Sequence, residues 1–401
     1  MTGHARVPRR RLLASGLGVS GSLMLGCGSQ PVGRAAGSAP QGDDDLTTRG
    51  TLLGAAPFVG ETDTPLDLPF NQDLDGRLYT DLSTLEPDAL IVPNEDFYIR
   101  TRYPDLLVPP DPWTITVGGL VGTERTLALP ELLSLEAAQG TVLLECSGNA
   151  RGAAFGLLSS ADWSGIPLAA VLGELDIDAA ATRVLVSGFD QYSQTSANNQ
   201  SQPGASWVFT FDELARTGAF LATRMNGDPL PPDHGAPVRL LVPGWYGCTC
   251  IKWVNELELV DDTQPSTAQM REFASRTMQT GTPDLARDFI PAEIDVAAMP
   301  VRVEKWLLDG SVVYRVVGIV WGGSVAASAL EIRFGDDGEW QAVTDYTPPS
   351  DLKTWSLWTT RWQPTAAGDY SIVLRVAAPA LRTRRLDEAY YLREVTIDEV
   401  T

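Results

Sequence analysis

Thr141-Val142-Leu143-Leu144-Glu145-Cys146-Ser147-Gly148-Asn149-Ala150-Arg151 opens as an apolar run with a β-branched member and stops at Gly-Asn, a strong turn signal. It reads as a short buried strand that hands over to a loop at Cys146. Such a handover fixes the Cα and lets the side chain face a pocket. Arg151, further along the loop, can put a cation over the same pocket. A thiolate suits a soft metal centre, and a guanidinium fork suits an oxyanion. For an isolated cysteine, burial in a core ahead of a turn is the commoner outcome. The rest of the chain must decide between the two.

Downstream lies a dense block, Met225-Asn226-Gly227-Asp228-Pro229-Leu230-Pro231-Pro232-Asp233-His234-Gly235-Ala236-Pro237-Val238-Arg239. His234 and Arg239 flank the start of a predicted strand at 240–242 and can share one rim. Gly247 to Trp253 follows and carries Cys248, Cys250, Ile251 and Lys252. Cys248 and Cys250, two apart in an extended segment, would point to one face; a disulfide between them would be strained. Upstream, Phe97-Tyr98-Ile99-Arg100-Thr101-Arg102-Tyr103-Pro104 is an extended, aromatic-rich piece ended by proline. Arg100 and Arg102 alternate along it and so share a face. A dianionic phosphate wants Arg, Lys and His donors together with backbone N–H groups in Gly-rich turns, and these segments supply them. Taken singly, each would read more simply as solvated charge or a turn-capping histidine. Short strands and short helices alternate through 61–265, which predicts an α+β domain.

At 401 residues the chain should hold about two domains. Its net charge of −21 argues against nucleic acid as a partner. Arg6, Arg9, Arg10 and Arg11 form a basic head, followed by a weakly apolar run too short for a membrane span. Arg9-Arg10-Arg11-Leu12-Leu13 is similar to a twin-arginine export signal, and Leu23-Met24-Leu25-Gly26-Cys27 to a lipoprotein cleavage box. Residues 1–27 are therefore expected to direct export, with a lipid anchor at Cys27. The dinucleotide-type glycine pattern Gly16-Leu17-Gly18-Val19-Ser20-Gly21 falls inside this signal with no strand before it, and is chance. The four cysteines are too few for a disulfide scaffold, and no Cys-x-x-Cys-His occurs, so no haem is expected on this chain. With only His4 and His234 present, a His-rich zinc or non-haem iron site is excluded.

Residues 28–60 read as a disordered, solvated tether, and 266–299 as a connector of weak periodicity. From 300 to 401 the pattern changes to short predicted strands near 301–304, 312–317, 329–334, 341–343, 355–360 and 370–376, separated by Gly and Asp turns. This spacing predicts an all-β sandwich. Trp355, Trp358 and Trp362 crowd one segment, more aromatic surface than such a domain usually needs inside. That points to a dimer interface, with core packing as the competing reading.

Taken together, these pieces resemble the sulfite oxidase family of molybdopterin-dependent oxidoreductases. The resemblance covers about residue 85 to the C-terminus. It rests on Glu145-Cys146-Ser147-Gly148-Asn149, on Met225-Asn226-Gly227 through His234-Gly235 to Arg239, on Gly247 through Lys252-Trp253, and on the tryptophan-rich sandwich. It implies an α+β molybdopterin-binding domain followed by an immunoglobulin-like dimerisation domain. It implies Cys146 as the molybdenum ligand beside a pterin dithiolene. The pterin phosphate would be held by Tyr98, Arg100, Arg102, Asp190, His234, Arg239, Cys250, Ile251 and Lys252. The substrate oxyanion would meet Arg100, Arg151 and Trp163, with Arg393 near the C-terminus a further candidate. Phe273 stands where the family carries a tyrosine, which puts sulfite itself in question. The implied activity is oxygen-atom transfer to sulfite or a related small oxyanion, with electrons passed to a separate carrier, a cytochrome. The alternatives are a sulfoxide or N-oxide reductase on the same scaffold, and a non-catalytic binding protein.

Overall fold

Thr51–Ala56, Ala297–Leu308, Ser311–Trp321 and Ser356–Trp362 make one four-stranded sheet, in that spatial order. A second places Gln341–Ala342, Leu330–Phe334, Gly368–Val376 and Arg393–Ile397 side by side. The computed structural model describes residues 44–61, 68–70, 75–101, 110–189, 205–376, 378 and 380–400. The two sheets face each other through aromatic contact. Trp362 of the first stacks on Phe334 of the second, with centroids 4.3 Å apart, and meets Tyr370 edge-on. This is the sandwich expected from the turn spacing, with two strands that the sequence did not announce. Arg393–Ile397 closes one sheet. Thr51–Ala56 pairs with Ala297–Leu308 and lies, after the helix Asp44–Arg49, inside the stretch expected to be a tether. Its small and apolar residues have little strand signal of their own; the pairing partner supplies the order.

The tryptophans correct the interface reading. Trp355 and Trp358 are fully buried and Trp362 nearly so within a single chain. Trp358 packs closely against Gly318, where a Cβ would meet its ring at 2.0 Å, and its Nε1 donates to the Ile319 carbonyl at 3.0 Å. Trp355 Nε1 donates to the Leu90 carbonyl at 3.0 Å. They are core, and the argument from them to a homodimer falls. Trp358→Ala is accordingly expected to lower the unfolding free energy by about 3–5 kcal/mol in urea denaturation, with no change in sedimentation.

The preceding region holds two larger sheets. One runs Ser206–Thr210, Arg183–Gly188, Val254–Val260, Thr114–Gly119, Arg125–Ala128, and its pair Val254–Val260 with Thr114–Gly119 is parallel. The other runs Asp228–Pro229, Phe220–Met225, Leu158–Pro167, Ala137–Glu145, with Arg239–Leu241 also pairing Phe220–Met225. Short helices such as Leu168–Gly173 and Phe211–Thr217 connect them. The latter is fixed by a Thr210/Glu213 capping box and stopped by Gly218 in the left-handed region. The strand Ala137–Glu145 is open to solvent at its start and buried on both faces at its end. The end is covered by the C-terminal region: Leu143 N–H donates to the Lys353 carbonyl at 2.7 Å, and the Ser160 and Thr354 hydroxyls bond at 2.7 Å. The described residues from Asp44 onward form one compact unit.

Candidate active site

The strand Ala137–Glu145 ends one residue before Cys146, and the chain re-enters the sheet at Leu158, opposite Glu145. The loop between is tightly tied. Cys146 N–H donates to the Leu157 carbonyl at 3.0 Å, Asn149 N–H to the Cys146 carbonyl at 2.9 Å, and the Asn149 side chain accepts from Leu157 N–H at 3.0 Å. The sulfur is left half-buried, with the Gly148 N–H 3.4 Å away. It faces a cavity of about 630 Å³.

One part of the lining comes from the segments expected to hold phosphate. Tyr98 and Arg100 enter from the strand Ile99–Thr101 and its approach. His234 comes from the turn Pro232–His234, Arg239 from the start of its strand, and Cys250, Ile251 and Lys252 from the end of the turn Gly247–Thr249. That turn corrects the extended reading of Cys248 and Cys250, though both thiols still line the cavity. Burial pushes each of their pKa values up. Arg239 is buried; two of its nitrogens donate to the His234 and Cys250 carbonyls, at 3.1 and 3.2 Å, while Nε has no hydrogen-bond partner. Burial draws its pKa down. Burial, with the Lys252 and Arg239 cations beside it, holds His234 well below the usual imidazole range. Lys252 Nζ donates to the Arg100 carbonyl at 3.3 Å, which ties the two segments together. Two glycines keep the wall thin: a Cβ on Gly247 would meet the Tyr98 hydroxyl at 2.8 Å, and one on Gly235 would meet Lys252.

The rest of the lining was not read from sequence. Gln269, Glu272, Phe273, Ser275, Arg276 and Met278 belong to the supposed connector. The Arg276 guanidinium lies over the Phe273 ring, 5.4 Å from its centroid. It also flanks Gly148: a Cβ there would meet Arg276 Nη1 at 3.6 Å and Cys146 Sγ at 3.8 Å. Arg385, Glu388 and Tyr390 arrive from the C-terminal region, which had been expected to contribute at most Arg393. Beneath the loop, Glu145 is fully buried. Burial raises its carboxyl pKa, while Arg385, Trp321 and Tyr391 pull it back down.

Three expected substrate residues therefore part company. Arg100 lines the cavity. Trp163 does not: it is buried on the strand Leu158–Pro167, donates Nε1 to the Val142 carbonyl at 3.1 Å, and packs against Phe97 and Arg239. Arg151 does not either. It starts the turn Arg151–Ala153 and is drawn to Glu394 at 2.5 Å, to Glu61 at 3.9 Å and to the Val59 carbonyl. Arg393 is bound to Glu61 and to the Pro300 carbonyl, and lines a separate cavity of about 240 Å³. Arg102, Asp190 and Cys27 lie outside the described residues.

Residues 102–268 match the model of an oxidoreductase molybdopterin-binding domain. Over 313 residues the chain is 27% identical to mitochondrial sulfite oxidase of Homo sapiens, spanning 72% of this chain and 55% of that protein. These likenesses support a molybdopterin-binding oxidoreductase domain of the sulfite oxidase type in this chain. The chain spans about half the length of the sulfite oxidases it matches. A second relative of this family type is the NADPH nitrate reductase of Beauveria bassiana, 28% identical over 287 residues, 64% of this chain and 31% of that one. The fold is that of the sulfane dehydrogenase SoxCD from Paracoccus pantotrophus, with a TM-score of 0.60 at 16% identity, covering 84% of this chain and 91% of that chain.

The residues present fit the family's cofactor. A buried cation with an unpartnered N–H, a neutral histidine and a lysine along one wall call for an anionic group such as a pterin phosphate. The half-buried Cys146 sulfur on the same cavity is a soft ligand of the kind molybdenum takes. Among the described residues no cluster of three or more His, Cys, Asp or Glu side chains offers a rival all-protein metal site.

Proposed function

We propose that the chain is an exported, molybdenum-dependent oxidoreductase of the sulfite oxidase type, oxidising sulfite or a related small oxyanion. In the overall reaction sulfite and water give sulfate, two protons and two electrons. The electrons leave one at a time to a separate carrier, a cytochrome; the chain has no Cys-x-x-Cys-His of its own. The bound pterin and its molybdenum supply the oxygen-atom and two-electron chemistry. The protein holds, orients and shields. Cys146 would ligate the metal. Arg239, His234 and Lys252, with Tyr98 and Arg100 alongside, would hold the phosphate.

The observation that supports the reading is that the Cys146 sulfur and the Arg276 guanidinium both lie against Gly148, 3.8 and 3.6 Å from where its Cβ would stand. A cation thus stands within reach of whatever the thiolate holds, on a chain whose net charge is −21. Arg276 takes the place the sequence had offered to Arg151, and its apolar floor is Phe273, the position where the family's tyrosine was sought. A neutral sulfoxide or N-oxide gains little from such a cation. Arg276→Gln is expected to raise KM for sulfite by about 10–100-fold, the worth of one hydrogen bond to a charged group, with little change for a neutral sulfoxide. Equal effects on both substrates would remove the oxyanion role. The export and a lipid anchor at Cys27 are supported by Arg9-Arg10-Arg11-Leu12-Leu13 and Leu23-Met24-Leu25-Gly26-Cys27.

A further inference from the structure

Of the three C-terminal residues that line the cavity, Arg385, Glu388 and Tyr390, the first carries a guanidinium. Arg385 is buried, and its Nη2 donates to the Ser147 carbonyl at 2.7 Å and to the Arg276 carbonyl at 3.0 Å. Its Nη1 stands 3.6 Å from Glu145 Oε1. The Tyr246 and Tyr390 rings flank it, with centroids 4.7 and 4.8 Å from Cζ. The same planar group is therefore hydrogen-bonded to the backbone of Ser147 and of Arg276 and ion-paired with Glu145, on the other side of Cys146. Glu145 in turn is anchored in the C-terminal region, accepting from Trp321 Nε1 at 2.9 Å and Tyr391 OH at 3.0 Å.

We propose that Arg385 is a positioning residue that sets the Cys146 sulfur against the Arg276 guanidinium, with Glu145 as its anchor. The metal ligand and the oxyanion-binding arginine sit on separate segments, and no backbone hydrogen bond in the described residues joins Cys146–Asn149 to Ser275–Met278. Arg385 supplies the missing link. A guanidinium can do this because Nη2 alone bridges the two carbonyls while its rigid plane carries Nη1 out to 3.6 Å from Glu145 Oε1; an ammonium keeps the charge but is a point and cannot span both. The sandwich is then part of the site, acting through the loops it grips. This rests on Cys146 as metal ligand and Arg276 as oxyanion donor.

The test compares Arg385→Gln, Arg385→Lys and Glu145→Gln in the loaded full-length protein. Trp355→Phe serves as control, since it removes a hydrogen bond between the same regions without touching the cavity lining. Two readouts are taken: amide hydrogen exchange of the segments around Cys146 and Arg276, and kcat and KM with sulfite. In Arg385→Gln both segments should exchange about tenfold faster together, the protection worth of one charge-assisted hydrogen bond, with kcat lowered and KM raised. Arg385→Lys should recover thermal stability but neither the exchange protection nor kcat. Glu145→Gln should loosen the Cys146 segment more than the Arg276 segment. Trp355→Phe should leave both segments as in the native chain. Native exchange in Arg385→Gln, or full recovery of kcat by Arg385→Lys, would overturn the proposal. Failure of the native protein to bind molybdenum or turn over sulfite would instead overturn the reading beneath it, and the exchange result would still decide whether Arg385 joins the two segments.

Discussion

Cys146→Ser is expected to leave a folded chain whose sulfite turnover has fallen by more than about 100-fold. The bound is set by weaker perturbations: removing a group that merely orients a metal ligand typically costs 10–100-fold in affinity or activity, so removing the ligand atom should cost more. The fold should tolerate the change. The Cys146 backbone is fixed by Leu157 and Asn149, whereas among the described residues the sulfur's hydrogen bond is the weak 3.4 Å contact with the Gly148 N–H. A hydroxyl fits that space but is a poor ligand for a soft centre. Two measurements check the result, sulfite oxidation and elemental analysis for molybdenum. The phosphate end of the cavity is untouched, so metal content should fall less than turnover. Turnover equal to that of the native chain would end the case for Cys146 as ligand.

What could be read from the sequence was what the chain decides locally. Cys146 at a strand end, His234 and Arg239 around a turn, and Lys252 after Gly247 are set by short-range turn chemistry, and they converge on one cavity. Arg385 had no such signal. It acts on Glu145 across most of the chain's length, and nothing in the spacing around Arg384-Arg385 shows that distant partner. Arg276 lay in a segment noticed only for Phe273, because its place beside Gly148 depends on how that segment folds back. Arg151 was misplaced for the converse reason. A cation five residues after the cysteine can turn to the pocket or to a carboxylate, and Glu394 and Glu61, both remote in sequence, win it. The tryptophans were weighed by composition, which cannot tell a face turned inward from one turned outward. The strand Thr51–Ala56 shows the same limit: it exists through its pairing with Ala297–Leu308.

Arg239→Met should separate two stabilities that the native chain keeps linked. Arg239 is 4% exposed, and burial draws its pKa down. Its hydrogen bonds in the protein go to two carbonyls, and Nε has none. Among the described residues it makes no ion pair with a carboxylate, so without an anionic ligand the cofactor-free chain carries a buried charge at a cost of several kcal/mol. Replacing such a charge with an apolar side chain of similar length is commonly neutral or stabilising by about 1–4 kcal/mol. Against this stand the His234 and Cys250 carbonyls left unpaired, at about 1–3 kcal/mol. The two nearly cancel, so the cofactor-free variant should unfold close to where the native chain does. The loaded protein should behave differently. A bound phosphate would lose its most buried cationic donor, and a 100-fold loss of affinity removes about 2.7 kcal/mol of ligand-linked stability. Thermal unfolding of both proteins, with and without cofactor, reads this directly: the gap between loaded and free forms should be wide in the native chain and narrow in Arg239→Met. If the cofactor-free variant instead loses several kcal/mol while the gap stays as wide as before, Arg239 is a structural strut. The phosphate would then have to be held by His234 and Lys252 without it.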